Sequence, residues 1–238
     1  MRKKAFTAIA IIAFFTLLDQ GSKIWIKTSM IIGEEIEVFD WFRIHFVENP
    51  GMAFGMELGG EYGKLALTLF RIIAVIFIGF FLRRLVRQKQ YNLGIVVSMS
   101  LIFAGAIGNI LDSTFYGLIF SESEGVLAQL FPPEGGYSSL FHGRVVDMLY
   151  FPLYEGFLPN WIPLWGGKYF IFFRPVFNVA DTAITLGVLS IILFQRSFFT
   201  EPDSTILETR PGTPIVNANN DLLANNNSQT LESNTDLS

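Results

Sequence analysis

"VFNVADTAITLGVLSIILF", residues 176–194, reads as a membrane span interrupted by one carboxylate, Asp181. An ionised Asp at a helix centre costs about 2.5 to 3.5 kcal/mol on insertion scales, so it persists only where it has partners or a task. Three further stretches have the apolar length to cross a bilayer, which takes about 20 residues. With this one, the candidate spans cover about residues 5–26, 62–82, 91–111 and 175–194. The reading is a membrane protein, mostly α, with four transmembrane helices. A small extracytoplasmic β-rich element and a loop or helix insertion at the outer face complete it.

The composition agrees. Of 238 residues, 51% are hydrophobic and 16% charged, with 25 Phe and a mean hydropathy of +0.43, well beyond an ordinary soluble domain. The net charge of −4 is a property of the C-terminal segment: residues 200–238 carry six acids against Arg210, which leaves the body near neutral. No basic surface points to nucleic acid. Without cysteine there is no disulfide framework, thiolate metal site or Cys nucleophile, and His45 and His142 alone make a poor zinc set.

"MRKK" followed by an apolar run has the shape of a signal peptide. No A-x-A-like site closes it, however, and "LLDQGSKIWI" carries the helix onward, so it reads as an uncleaved first span. Basic clusters at Arg2–Lys4 and Arg83–Lys89 mark cytoplasmic ends, which places both termini inside and segments 33–60 and 113–173 outside. The first 199 residues then form the membrane domain. The Asn-, Ser- and Thr-rich remainder, 200–238, reads as a disordered cytoplasmic tail. In this frame Asp19, Lys23, Asn109, Asp112, Asn178 and Asp181 all fall toward the outer leaflet. An ion or proton pathway would string such groups through the whole bilayer, so a site opening outward is the simpler reading.

Each motif has a plain explanation to overcome. Asp19 and Lys23 in "DQGSK" meet at i,i+4, as an interfacial ion pair would. "ENPGMAFG", residues 48–55, is a turn signal that follows the alternating "IEVFDWFRIHFV", where strands are expected, and is a candidate loop over a site. In "AGAIGNILD", residues 104–112, the small residues let another helix approach closely, but packing does not explain Asn109 and Asp112 on one face. "GRVVDMLYF" sets Asp147 in an apolar run, where an Asp otherwise serves as a cap. Two buried carboxylates that converge have a chemical use: like charges side by side retain one shared proton, giving a base for water and an acid for a carbonyl oxygen. Other hydrolase signatures are missing. There is no H-E-x-x-H and no G-x-S-x-G, and Ser22 beside Lys23 diverges from it on a helix.

"DQGSK", "ENPGMAFG", "GAIGNILD", "GRVVDM" and "FNVAD", in this order on four spans, closely resemble the bacterial lipoprotein signal peptidase (signal peptidase II) family over about residues 5–196. The resemblance implies an intramembrane aspartic endopeptidase of the cytoplasmic (inner) membrane. Such an enzyme removes the signal peptide of a prolipoprotein before a diacylglyceryl-modified cysteine. It implies that Asp147 and Asp181 are the catalytic pair. Asp19, Lys23, Asn49, Gly51, Ala53, Phe54, Asn109, Asp112, Arg144 and Asn178 would bind substrate or brace the site. No metal or other cofactor is expected, and the partners are lipidated prolipoproteins and membrane lipids, with the chain acting as a monomer.

Two departures stand out. The family usually has Arg directly after the Asp of its G-N-x-x-D motif, where this chain has Ser113, and Arg71 and Arg144 are the candidates to replace it. Segments 119–143 and 151–175 are longer than is common; either covers an outer site or is an unstructured insertion, and Trp161, Trp165 and Tyr169 suit a membrane interface. The alternative to an enzyme is a membrane binding or scaffold protein whose carboxylates only brace helices.

Overall fold

The computed structural model describes residues 1–50, 60–172 and 174–199. Gly51, Ala53 and Phe54, and the tail 200–238, lie outside the described residues.

The chain opens with helix α1 (Arg2–Ser29), then the hairpin β1 (Glu35–Phe39) and β2 (Phe42–Asn49), where the alternating sequence calls for strands. Helix α2 (Gly60–Arg87) and helix α3 (Leu93–Leu111) follow, the latter capped by Asn92, whose Oδ1 accepts from the Gly94 amide at 2.9 Å. A π turn (Asp112–Tyr116) and the single turn α4 (Gly117–Ile119) continue the helix axis. Then come β3 (Val145–Tyr150), β4 (Tyr154–Phe157), β5 (Tyr169–Phe172), β6 (Val176–Phe177) and helix α5 (Val179–Phe199). Three helices, Arg2–Ser29, Gly63–Arg87 and Leu93–Ile119, are long and apolar enough to cross a bilayer; the apolar stretch Val179–Phe194 is shorter.

Outward-facing Phe70, Phe77 and Phe80 on α2, and Leu189, Ile192 and Leu193 on α5, are exposed in rows that suit lipid rather than water. Inside, α3 packs against α5 and α1 through its small residues. A Cβ on Gly105 would stand 2.2 Å from the Ala180 carbonyl oxygen, and one on Gly108 would stand 2.4 Å from Asp19 Oδ2. The close approach expected of "AGAIG" therefore brings Asp19 and the start of α5 against one face of α3. At the opposite end Lys4 Nζ binds the Gln88 and Tyr91 carbonyls and ties α1 to the α2–α3 turn.

A four-stranded antiparallel sheet, ordered β1-β2-β3-β6, packs through β3 against α1 and the π turn and leads through β6 into α5. Its register sets Val47 opposite Asp147 and Leu149 opposite Phe177. The sequence puts the start of the last span at about residue 175, but Val176–Phe177 pair with β3 and the helix starts at Val179. The reason is local: Asn178 takes the N-cap position, so Asp181 lies in the first helical turn rather than deeper.

The two long segments are folded. Residues 119–143 lie along the end of α1, with Phe120 bridged to Leu130 and the Ala128 amide bonded to the Lys27 carbonyl at 3.2 Å. Buried Phe120 packs with Ile26, Met30, Phe46 and Val146 in the core beneath the sheet. The second segment is the β4–β5 hairpin.

Gly105→Ala should lower thermal stability in detergent by about 1 to 3 kcal/mol, because a backbone carbonyl must move aside. Gly21→Ala on α1, where an added Cβ meets nothing within 4 Å, should be neutral or stabilise by up to about 1 kcal/mol. Equal melting temperatures for the two variants would contradict this packing.

Candidate active site

Asn178 joins the parts of the site and is completely buried. Its Oδ1 accepts from the Asp181 amide at 2.9 Å, and its own amide faces Asp181 Oδ2 at 3.4 Å, a reciprocal cap on the first turn of α5. Its Nδ2 donates to Asp147 Oδ1 at 2.7 Å and reaches the Val146 carbonyl and Asn109 Oδ1 at 3.3 and 3.2 Å. Asn109 Nδ2 in turn donates to Asp181 Oδ1 at 2.8 Å. The side chain of Asn49, from the neighbouring strand, also bonds Asp147. Asp147 on β3 and Asp181 on α5, far apart in sequence, therefore share Asn178 as a neighbour.

Lys23 supplies the positive charge beneath them. Its Nζ meets Asp19 Oδ2 at 2.9 Å, Asp112 Oδ2 at 2.6 Å and Asn109 Oδ1 at 2.9 Å, which uses all three donors. Asp19 Oδ1 accepts from the Ala180 amide at 2.8 Å, so a carboxylate of α1 satisfies one of the amides left open at the N-terminus of α5. Gln20 donates to Asp112 Oδ1 at 2.8 Å and accepts from the Tyr116 hydroxyl at 3.2 Å. The i,i+4 pair read from "DQGSK" is thus a fully buried triad with Asp112, not an interfacial one.

Burial, followed by the charge of Asp181, pushes the Asp147 carboxyl up from an ordinary 3.8 to about 7. The bond from Asn178, the charge of Lys23 and the bond from Asn49 oppose this rise. Among the described residues no group of three His, Asp or Glu side chains is arranged to hold a metal ion.

Arg144 takes a different place from the other candidates. Its NH1 binds Glu48 Oε2 and Glu122 Oε2, both at 3.0 Å, and its backbone amide donates to the Tyr137 hydroxyl at 2.6 Å. Glu48 also pairs with buried Lys27, and Ser123 Oγ bonds it at 3.0 Å. Burial alone would raise the Glu48 carboxyl, but Lys27, Arg144 and Ser123 outweigh it and hold it below its ordinary range. Sequence reading missed Lys27, Glu48, Gln20 and Tyr116. A signal existed for Lys27: Asp19, Lys23 and Lys27 recur every fourth residue and share one face of α1.

Comparison with known proteins decides the family. The model of "Signal peptidase (SPase) II" matches residues 11–198. The chain belongs to the signal peptidase II family. It is a membrane peptidase of the aspartic class. The lipoprotein signal peptidase of Porphyromonas gingivalis is 55% identical over 189 residues, covering 79% of this chain and 82% of that one. The lipoprotein signal peptidase of Amoebophilus asiaticus is 37% identical over 235 residues, 92% of this chain and 95% of its own. A solved bacterial membrane enzyme is similar in structure, with a TM-score of 0.52 and 28% identity over 79% of this chain and 92% of that one.

Removing Lys23 should expose how far the buried acids depend on it. Lys23→Met leaves Asp19 and Asp112 buried without a counter-charge and should cost about 3 to 5 kcal/mol in thermal unfolding. Adding Asp112→Asn to that variant should recover part of the loss. A Lys23→Met protein as stable as the parent would contradict the triad.

Proposed function

We propose that this signal peptidase II member removes the signal peptide from diacylglyceryl-modified prolipoproteins, cutting before the lipidated cysteine, with Asp147 and Asp181 activating one water. The observation that supports the reading is that Asn178 faces both carboxylates, Asp147 through its side-chain amide and Asp181 through its backbone amide, at a point where burial favours retention of one proton. The ionised member takes a proton from water as its oxygen attacks the scissile carbonyl carbon. The protonated member gives its proton to the carbonyl oxygen. Collapse of the tetrahedral intermediate then releases the amine with a proton returned by the pair. Acid and base are assigned here as roles of the pair, not of either residue.

Asn178, Asn109 and Asn49 orient the carboxylates, and Lys23, Asp19 and Asp112 fix the helix ends that carry them. Gly51, Ala53 and Phe54 are in this reading among the residues that bind substrate. The chain crosses the inner membrane four times with both termini and the 200–238 tail in the cytoplasm. Its site then opens at the outer leaflet, where a lipidated substrate arrives with its acyl chains still in lipid. A monomer suffices, since both acids come from one chain.

A bracing role for the carboxylates also has an observation behind it, because Asp181 caps its own helix. The two readings separate on stability. Asp147→Asn and Asp181→Asn should each abolish cleavage of a purified lipidated precursor, a loss of about a thousandfold or more. Asp147→Asn should also be at least as stable as the parent at neutral pH, because it removes an acid whose ionisation is disfavoured in the fold. Normal turnover by either variant rejects the dyad.

The pH dependence has a defined sign. The Asp147 carboxyl rises from 3.8 to about 7 on folding, so the folded protein keeps a proton that the unfolded chain releases. Stability should fall as pH climbs through this window. Cleavage should decline on the alkaline side with a midpoint near 7 as both acids ionise. A rate that stays level to pH 9 would contradict a shared proton.

A further inference from the structure

Helix α2 brings one more charged side chain toward the acids. Arg71 is half-buried, and its NH1 donates to Ser113 Oγ at 3.4 Å. The Ser113 hydroxyl itself donates to the Asn109 carbonyl at 2.9 Å, which leaves its lone pairs to accept from Arg71. Asp181, Asp147 and Asp112 all act on the guanidinium through space. Among the described residues none of them forms an ion pair with it. Each acid has another partner instead: Asp181 has Asn109, Asp112 has Lys23 and Gln20, and Asp147 has Asn178.

The other cations nearby are occupied. Lys23 spends its three donors on Asp19, Asp112 and Asn109, and Arg144 is neutralised by ion pairs with Glu48 and Glu122 through three of its five N–H groups. Lys64 and Thr68, on the same face of α2, bind the His142 and Phe141 carbonyls at 2.5 and 3.2 Å. That leaves Arg71, a fork with five N–H groups of which the described residues account for one, seated on a serine and within electrostatic range of Asp181, Asp147 and Asp112.

We propose that Arg71 is a substrate-positioning residue whose spare N–H groups hold a backbone carbonyl oxygen of the bound peptide beside Asp147 and Asp181, with Ser113 as its seat. The proposal rests on the dyad reading above. A peptide drawn into a cleft between helices leaves water, and each of its carbonyls then needs a donor. A fixed guanidinium meets that need without reorganising, and its attraction grows as negative charge develops on the peptide oxygen. The same positive charge favours ionisation of the acids beside it, in concert with Lys23 on α1 and against Asp19 and Asp112.

The test uses the full chain in proteoliposomes with a synthetic lipidated precursor peptide, and reads kcat, KM and the pH profile. Arg71→Gln should lower kcat/KM by about 10- to 100-fold, the worth of one charge-assisted bond. It should also shift the alkaline limb upward by about half a pH unit or more, because a positive charge beside the pair has gone. Arg71→Lys keeps the charge and loses the fork, so the limb should stay in place while kcat/KM falls.

A folded Arg71→Gln enzyme with an unmoved alkaline limb overturns the proposal, whatever its rate. If Arg71→Gln does not fold, Arg71→Lys decides, and parental kcat/KM in that variant overturns it. Asp147→Asn, run alongside, separates the two readings: an active Asp147→Asn enzyme removes the dyad itself. An inactive one beside an unshifted Arg71→Gln removes only the role of Arg71.

Discussion

The site depends on one amide side chain that cannot relax. Asn178 caps the first turn of α5, and the same residue donates to Asp147 across the sheet. Because it is completely buried, every polar atom it carries must find a protein partner. Those partners come from α3, β3 and α5 at once. The position of the first turn of α5 is thereby tied to the position of β3, and two acids separated by a long stretch of chain are held as neighbours. Moving either element breaks a cap and a buried hydrogen bond together.

Charge is managed with similar economy. Three acids and one lysine, Asp19, Asp112, Asp147 and Lys23, are almost wholly enclosed where α1, α3 and the sheet meet. Lys23 neutralises one charge, and the Ala180 amide, at the positive end of α5, attracts Asp19. Among the described residues no cation pairs directly with Asp147, whose burial instead raises its carboxyl to about 7. A separate cluster, Lys27 with Glu48, Ser123 and Arg144, fastens residues 119–143 to the end of α1 and to β2. Since β2 carries Asn49 to Asp147, that cluster also steadies the active strand from behind.

Much of this was legible in the residues. The long apolar runs announce the helices, and alternation over 36–47 announces the β1–β2 hairpin. Polar residues that break apolar runs mark the site, because burial makes each of them costly unless it is used. Three things were less accessible. The start of α5 is not legible to the residue because Val176 and Phe177 are as apolar as the helix that follows, and only their pairing with β3 shows them to be strand. Arg144 lies beside the Asp147 strand but turns toward Glu48, since a guanidinium goes to the carboxylates within reach and sequence spacing does not reveal them. Residues 119–143, rich in Gly, Pro and Ser, have no periodicity to read. They are ordered by tertiary contacts with Lys27 and the core around Phe120.

The central claim is that the buried pair carries one shared proton at neutral pH. Infrared difference spectra of the full chain in lipid, titrated from pH 5 to 9, would follow the carbonyl stretch of protonated carboxyl groups directly. The account predicts a band component that disappears with a midpoint near 7 and that the Asp147→Asn spectra lack. A parent protein with no protonated carboxyl at pH 6, or an identical band in the Asp147→Asn variant, would contradict it.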